Sequence, residues 1–152
     1  MTNEASGPVR PIDILLVEDN PGDVRLTREC FKEAKVRTVL HVVNDGEEAF
    51  EFLNRRGRFA GAPRPDLVLL DLNMPRMDGR EFLARFKQEE RFKRIPVVVL
   101  TISKAEEDVR TSYGLHANCY IVKPIDFDRF LSVARAVEEF WLTVARLPRG
   151  AS

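Results

Sequence analysis

The stretch Leu67-Val68-Leu69-Leu70-Asp71-Leu72-Asn73-Met74-Pro75-Arg76-Met77-Asp78-Gly79 decides how this chain folds. Residues 67–70 are apolar without alternation, which suits a strand buried on both faces of a parallel sheet. The run ends in a carboxylate, Asp71. Met77-Asp78-Gly79 then punctuates the chain before Phe82, Leu83 and Phe86, which share one helical stripe. The order is strand, polar turn, helix.

Outward from this stretch the same order repeats. Residues 12–17, 95–100 and 120–122 are almost wholly apolar, and 38–43 is similar but interrupted by His41. Between these runs lie helical stripes: Val24, Thr27, Cys30, Phe31 and Ala34, then Ala49, Phe50 and Leu53, and more weakly Val109, Tyr113 and Leu115. The last, residues 127–144, is the longest. Five strands alternating with five helices predict an α/β domain built on a parallel sheet. Asn20-Pro21-Gly22-Asp23 reads as a turn into a helix start, and Asp126 as a cap for helix 5. Residues 55–65 (RRGRFAGAPRP) form the one long irregular connection, and its four arginines are read as a solvated loop rather than an anion site. Residues 1–11 are expected to be a flexible arm, 12–142 one domain, and 143–152 a tail.

Composition narrows the function classes. At 152 residues and 44% apolar content the chain can bury a real core. Its 24 basic and 24 acidic residues cancel, and each half is nearly balanced, which argues against an electrostatic binder of nucleic acid or anionic membrane. No apolar run approaches the roughly 18 residues of a membrane span, and residues 1–11 lack the apolar core of a signal peptide. Cys30 and Cys119 fall in apolar segments and read as buried thiols of a reducing cytoplasm. His41 and His116 share no ligand spacing, so packing or surface roles are expected of them.

The chemistry gathers at the strand ends. Strand 1 runs into Glu18-Asp19, strand 3 into Asp71, strand 4 into Thr101 and strand 5 into Lys123-Pro124. In an open parallel sheet the C-terminal strand ends share one edge, where ligands bind. With strand 1 central and strand 3 beside it, three carboxylates converge, facing a hydroxyl and an ammonium. Clustered like charges call for a cation, and an oxygen-only donor set suits Mg2+. Lys123 suits a phosphoryl group. Together these groups suit phosphoryl transfer onto a carboxylate, with the central Asp71 as nucleophile.

At this point the chain resembles the receiver domain of two-component response regulators. The motifs that carry the resemblance are Val17-Glu18-Asp19-Asn20, the 70–79 stretch LDLNMPRMDG, Val99-Leu100-Thr101, and Tyr120-Ile121-Val122-Lys123-Pro124. Spacings of 30 residues from Asp71 to Thr101 and 52 from Asp71 to Lys123 fit as well, and the resemblance covers residues 12–141. More narrowly, residues 112–120 (SYGLHANCY), residues 138–142 (EEFWL) and Leu147-Pro148 resemble single-domain regulators paired with phytochrome histidine kinases.

The resemblance implies a flavodoxin-like (βα)5 fold, strand order 2-1-3-4-5, and a Mg2+-dependent phosphorelay role without substrate turnover. It implies that Asp71 becomes a 4-aspartylphosphate, taking the phosphoryl group from a sensor histidine kinase. Asp19, Asp71 and the Asn73 backbone carbonyl would ligate Mg2+, with Glu18 acting through water. Lys123 and Thr101 would hold the phosphoryl oxygens, and Thr101 with Tyr120 would form the switch. Ile102 is bulky where receivers commonly carry a small residue, and Asn73 also bears on hydrolysis, so the phosphoryl lifetime is not transferable.

The last helix is over-apolar. At 100° per residue its apolar side chains, among them Phe130, Val133, Val137, Phe140, Trp141 and Val144, cover roughly 200°, more than one sheet face needs. Either the tail through Leu147 and Pro148 folds over the surplus, or a partner does. The expected partner is a second copy, docked through helix 4, strand 5 and helix 5. Two other functions compete with the signalling switch. A haloacid-dehalogenase-type phosphatase needs its aspartate pair after strand 1, where this chain has Glu18-Asp19-Asn20-Pro21. A phosphorylation-independent scaffold would have lost an acid, the acceptor or the lysine, and all are present.

Overall fold

Strand β1 (Ile12–Val17) is the axis of the molecule, its residues 14–17 completely enclosed. A computed structural model describes residues 11–33, 37–72 and 79–101, the strand at 119–122, and helical positions 128, 131–132 and 135–136. In chain order the elements are β1, α1 (Pro21–Glu33), β2 (Thr38–Val43), α2 (Gly46–Leu53), a 3-10 turn (Gly57–Phe59), β3 (Leu67–Asp71), α3 (Gly79–Gln88), β4 (Val97–Thr101) and β5 (Cys119–Val122). All four strand pairings are parallel and the order is β2-β1-β3-β4-β5, so β1 and β3 are neighbours inside the sheet.

Alternate residues of the inner strands serve two cores. Leu15, Val17, Val68, Leu70, Val97 and Val99 pack against α2 and α3, chiefly Phe52, Phe82, Leu83 and Phe86. Ile14, Leu16, Leu67, Leu69, Val98 and Leu100 meet Cys30 and Phe31 of α1 on the other face. That two-sided burial is why these strands show no polar alternation.

Local signals set the helix starts. The Asn20 side-chain oxygen accepts from the Asp23 amide at 3.1 Å, and Pro21 opens α1 where its missing N–H costs nothing. Asp45, nearly buried, accepts from the Glu48 amide at 2.9 Å, and the Glu48 carboxylate reaches back to the Asn44 amide at 2.9 Å. Helix α2 ends on Arg55 in the left-handed region (φ 56°), with the Arg56 amide closing onto the Glu51 carbonyl at 2.9 Å.

The structure revises two readings. In α2 the inward aromatic is Phe52, 3% exposed, while Phe50 lies half-buried at the border, its ring 4.8 Å from that of Phe82. In an eight-residue helix spacing alone does not separate the two. The fourth strand begins at Val97 rather than Ile95, because Pro96 has no amide to donate and the Ile95 amide turns back to Phe92. Asp71 is the last residue of β3, opposite Leu100, as the sequence led us to expect. The connection at 55–65 is exposed at its arginines, as expected, yet Phe59 and Ala62 fasten it to the core. His41 takes the packing role expected of it: its Nε2 is 3.0 Å from the Asp13 carboxylate and its ring packs on Phe52.

Candidate phosphoacceptor and metal site

Register builds the site. Val17 pairs with Leu70, so the next residues, Glu18 and Asp71, stand side by side at the C-terminal edge. The Glu18 amide continues the ladder onto the Val43 carbonyl at 3.0 Å, and the Leu72 amide onto the Leu100 carbonyl at 3.0 Å, so both acids sit on held backbone. Glu18 is 1% and Asp71 2% exposed, while Asp19 is open to solvent. Carboxylate oxygens of Glu18, Asp19 and Asp71 lie within 4.8 Å of one another. The Glu18 side chain is oriented by the Asn20 amide, which donates to it at 3.1 Å.

Three carboxylates this close, two of them out of water, raise one another's energy unless a cation shares their charge. The donors are all oxygen, one face is open, and two protein carboxylates can ligate directly, which fits a hard divalent ion that retains waters. Among the described residues no other group of three such side chains is close enough to hold a metal.

Thr101 closes β4 one residue beyond Leu100, the partner of Asp71, which brings its backbone to the same edge. Tyr120 lies in β5 opposite Val99. Asn73 and Lys123 lie outside the described residues, as do the helix-5 positions Phe130, Val133, Val137, Phe140, Trp141 and Val144.

One residue of the site carries more than its sequence reading. Gly79 serves in the sequence as punctuation before α3, but in the fold it is the wall behind the acceptor. A Cβ there would meet the Asp71 carbonyl oxygen and the Leu72 Cα at 2.5 Å each, and the Gly79 amide donates to the Leu72 carbonyl at 3.1 Å. The Asp78-Gly79 pair after an apolar strand was the available signal. It marks a close backbone approach as well as a turn.

The fold and this acidic edge define a class, and the family comparison agrees: a response regulator receiver domain model matches residues 14–135. The chain belongs to the response regulator receiver family. It is 46% identical over 138 residues to response regulator Rcp1 of Synechocystis sp., covering 91% of this chain and 94% of that protein. Its fold matches the crystal structure of the phosphorylated cyanobacterial phytochrome response regulator RcpA with a TM-score of 0.79 at 47% identity, covering 91% of this chain and 99% of that one. The Mn(2+)-bound form of Rcp1 matches with a TM-score of 0.78 at 46% identity and the same coverage.

Proposed function

We propose that this response regulator accepts a phosphoryl group on Asp71 from the phosphohistidine of a sensor histidine kinase, of phytochrome type. The observation that carries the reading is the Glu18–Asp19–Asp71 carboxylate cluster at the end of β1 and β3. An Asp71 oxygen attacks phosphorus, the P–O bond forms as the P–N bond breaks, and the histidine leaves. Asp19, Asp71 and the Asn73 carbonyl would hold Mg2+, with Glu18 through water. When bound, the ion supplies positive charge to the carboxylates and to the phosphoryl oxygens. Burial holds Asp71 on rigid backbone, so little reorganisation accompanies attack.

Lys123 and Thr101 take the remaining phosphoryl oxygens in this reading. Thr101 then moves toward the modified acceptor, and Tyr120 exchanges position, biasing the face of helix 4, strand 5 and helix 5. That face, with the helix-5 residues from Phe130 to Val144, receives a second copy. The receiver unit spans 12–142 with a tail at 143–152, works in the cytoplasm, and turns over no substrate besides its own phosphoryl group. Support comes from the relatives: the RcpA structure is of a phosphorylated phytochrome regulator and the Rcp1 structure is Mn(2+)-bound. Among the described residues no helix is long and apolar enough to cross a membrane.

Incubation with a phosphorylated sensor kinase tests the acceptor. Label should pass to the native chain only with Mg2+, and Asp71→Asn should take none. Stoichiometric labelling of Asp71→Asn would overturn the assignment.

A further inference from the structure

Helix α3 begins against Asp71 and runs about 15 Å to the opposite edge of the sheet. There, two cavities of about 280 and 220 Å3 share a wall made by Asn54, Arg91 and Phe92. Arg55 and Arg64 line one lobe, Arg56 and Arg85 the other, and Glu89 is the single acid lining either. Five guanidiniums against one carboxylate is a steep local excess in a chain whose net charge is zero.

Arg91, between the lobes, is held in place. Its Nη2 donates to the Asn54 side-chain oxygen at 2.8 Å, its Nε lies 3.5 Å from the Glu89 carboxylate, and its guanidinium covers the Phe92 ring at 4.7 Å. Arg64 donates to the Arg91 carbonyl. Asn54 is itself fixed, donating to the Phe50 carbonyl at 2.8 Å, and Arg85 lies over the Phe50 ring at 4.8 Å. Arg55 occupies a left-handed position where glycine is the unstrained residue. Attraction to the helix dipole explains a basic side chain at a helix C-terminus, but not five around one recess.

We propose that the two lobes bind a small molecule carrying at least two phosphate groups, one in each lobe, straddling Arg91. Guanidiniums match phosphate oxygens in a fixed fork, and stacking on Phe50 and Phe92 holds two of them ready. The lobes together fall in the roughly 300–1,000 Å3 range of small-ligand sites, which favours a compact ligand over an extended acidic peptide. This site is separate from the phosphoacceptor and stands whether or not Asp71 is modified.

Calorimetric titration of the full chain with pyrophosphate and with ADP, in EDTA to silence the acidic pocket, tests it. Both probes should bind one to one, with affinity falling steeply with salt. Arg91→Ala, Arg55→Ala/Arg64→Ala and Arg56→Ala/Arg85→Ala should each weaken binding about tenfold or more. Arg91→Lys should weaken it too, since charge without the fork does not suffice, whereas Lys32→Ala on α1 should not. Tighter binding of ADP than pyrophosphate identifies a nucleotide, equal binding identifies the phosphates alone, and either supports the site. Circular dichroism melts establish that each variant is folded. No binding at millimolar probe, full affinity in folded Arg91→Ala, equal loss in Lys32→Ala, or tighter binding of polyglutamate than of pyrophosphate would overturn the proposal.

Discussion

Cys30 is enclosed between α1 and the sheet, and burial, with Glu29 nearby as a lesser cause, pushes its thiol from 9.0 up to about 11. The thiolate fraction near pH 8 is then about a hundredfold below that of an unfolded thiol. Iodoacetamide should label Cys30 at least that much more slowly in the folded chain, since enclosure also denies access, as site-resolved mass spectrometry would record; a rate matching the unfolded chain would contradict the burial. The thiol's pKa is raised on folding, so its contribution to stability is full below pH 9 and is lost as pH rises through about 11. Denaturation of the native chain should therefore lose about 2–3 kcal/mol more across that window than Cys30→Ala does. The thiol's burial was legible because Cys30 shares a stripe with Thr27 and Phe31. The Gly79 contact was legible only as the Asp78-Gly79 signal, since no spacing rule reports how near two backbones pass. Gly79→Ala should cost about 1–3 kcal/mol and slow phosphoryl labelling, because the added methyl must displace the Asp71 backbone. A variant with native melting and native labelling would refute that contact.

Elements were easier to read than their edges. Unbroken apolar runs identify buried parallel strands because both faces are covered, and the two cores bear this out. Strand ends depend on hydrogen bonds that hydropathy does not encode, which is why β4 starts after Pro96. Helix α2 shows the limit of periodicity: two turns offer both Phe50 and Phe52 to the sheet, and the neighbours Phe59 and His41 settle the choice for Phe52. Its start is better determined. Asp45→Ala removes the acceptor for the Glu48 amide and should lower stability by about 1 kcal/mol in urea titration. Phe82→Ala, at the centre of the α3 core and fully enclosed, should cost about 3–5 kcal/mol. If the cap change proved the larger of the two, the division of labour described for these elements would be wrong.

At the scale of the molecule, the sheet order turns residues far apart in the chain into one acidic edge, and that edge was legible from where the charges fall relative to the strands. The arginine-lined recess was visible only as the arginines of 55–65, which read as a solvated loop. Its arginines come from the 55–65 connection, α3 and the turn beyond, and only packing brings these segments together. The neutral total of 24 against 24 thus hides an acidic end and a basic end joined by α3. The proposed assembly through helix 4, strand 5 and helix 5 predicts a dimer in sedimentation velocity at high micromolar concentration; a monomer with and without phosphorylation would overturn it. Asp71 is the proposed phosphoacceptor of this receiver. Borohydride trapping of the acyl phosphate, followed by peptide mapping, tests it most directly. A single trapped site at Asp71 is expected, appearing with Mg2+ and disappearing with EDTA. Trapping at another residue, or at Asp71 without any divalent ion, would contradict it.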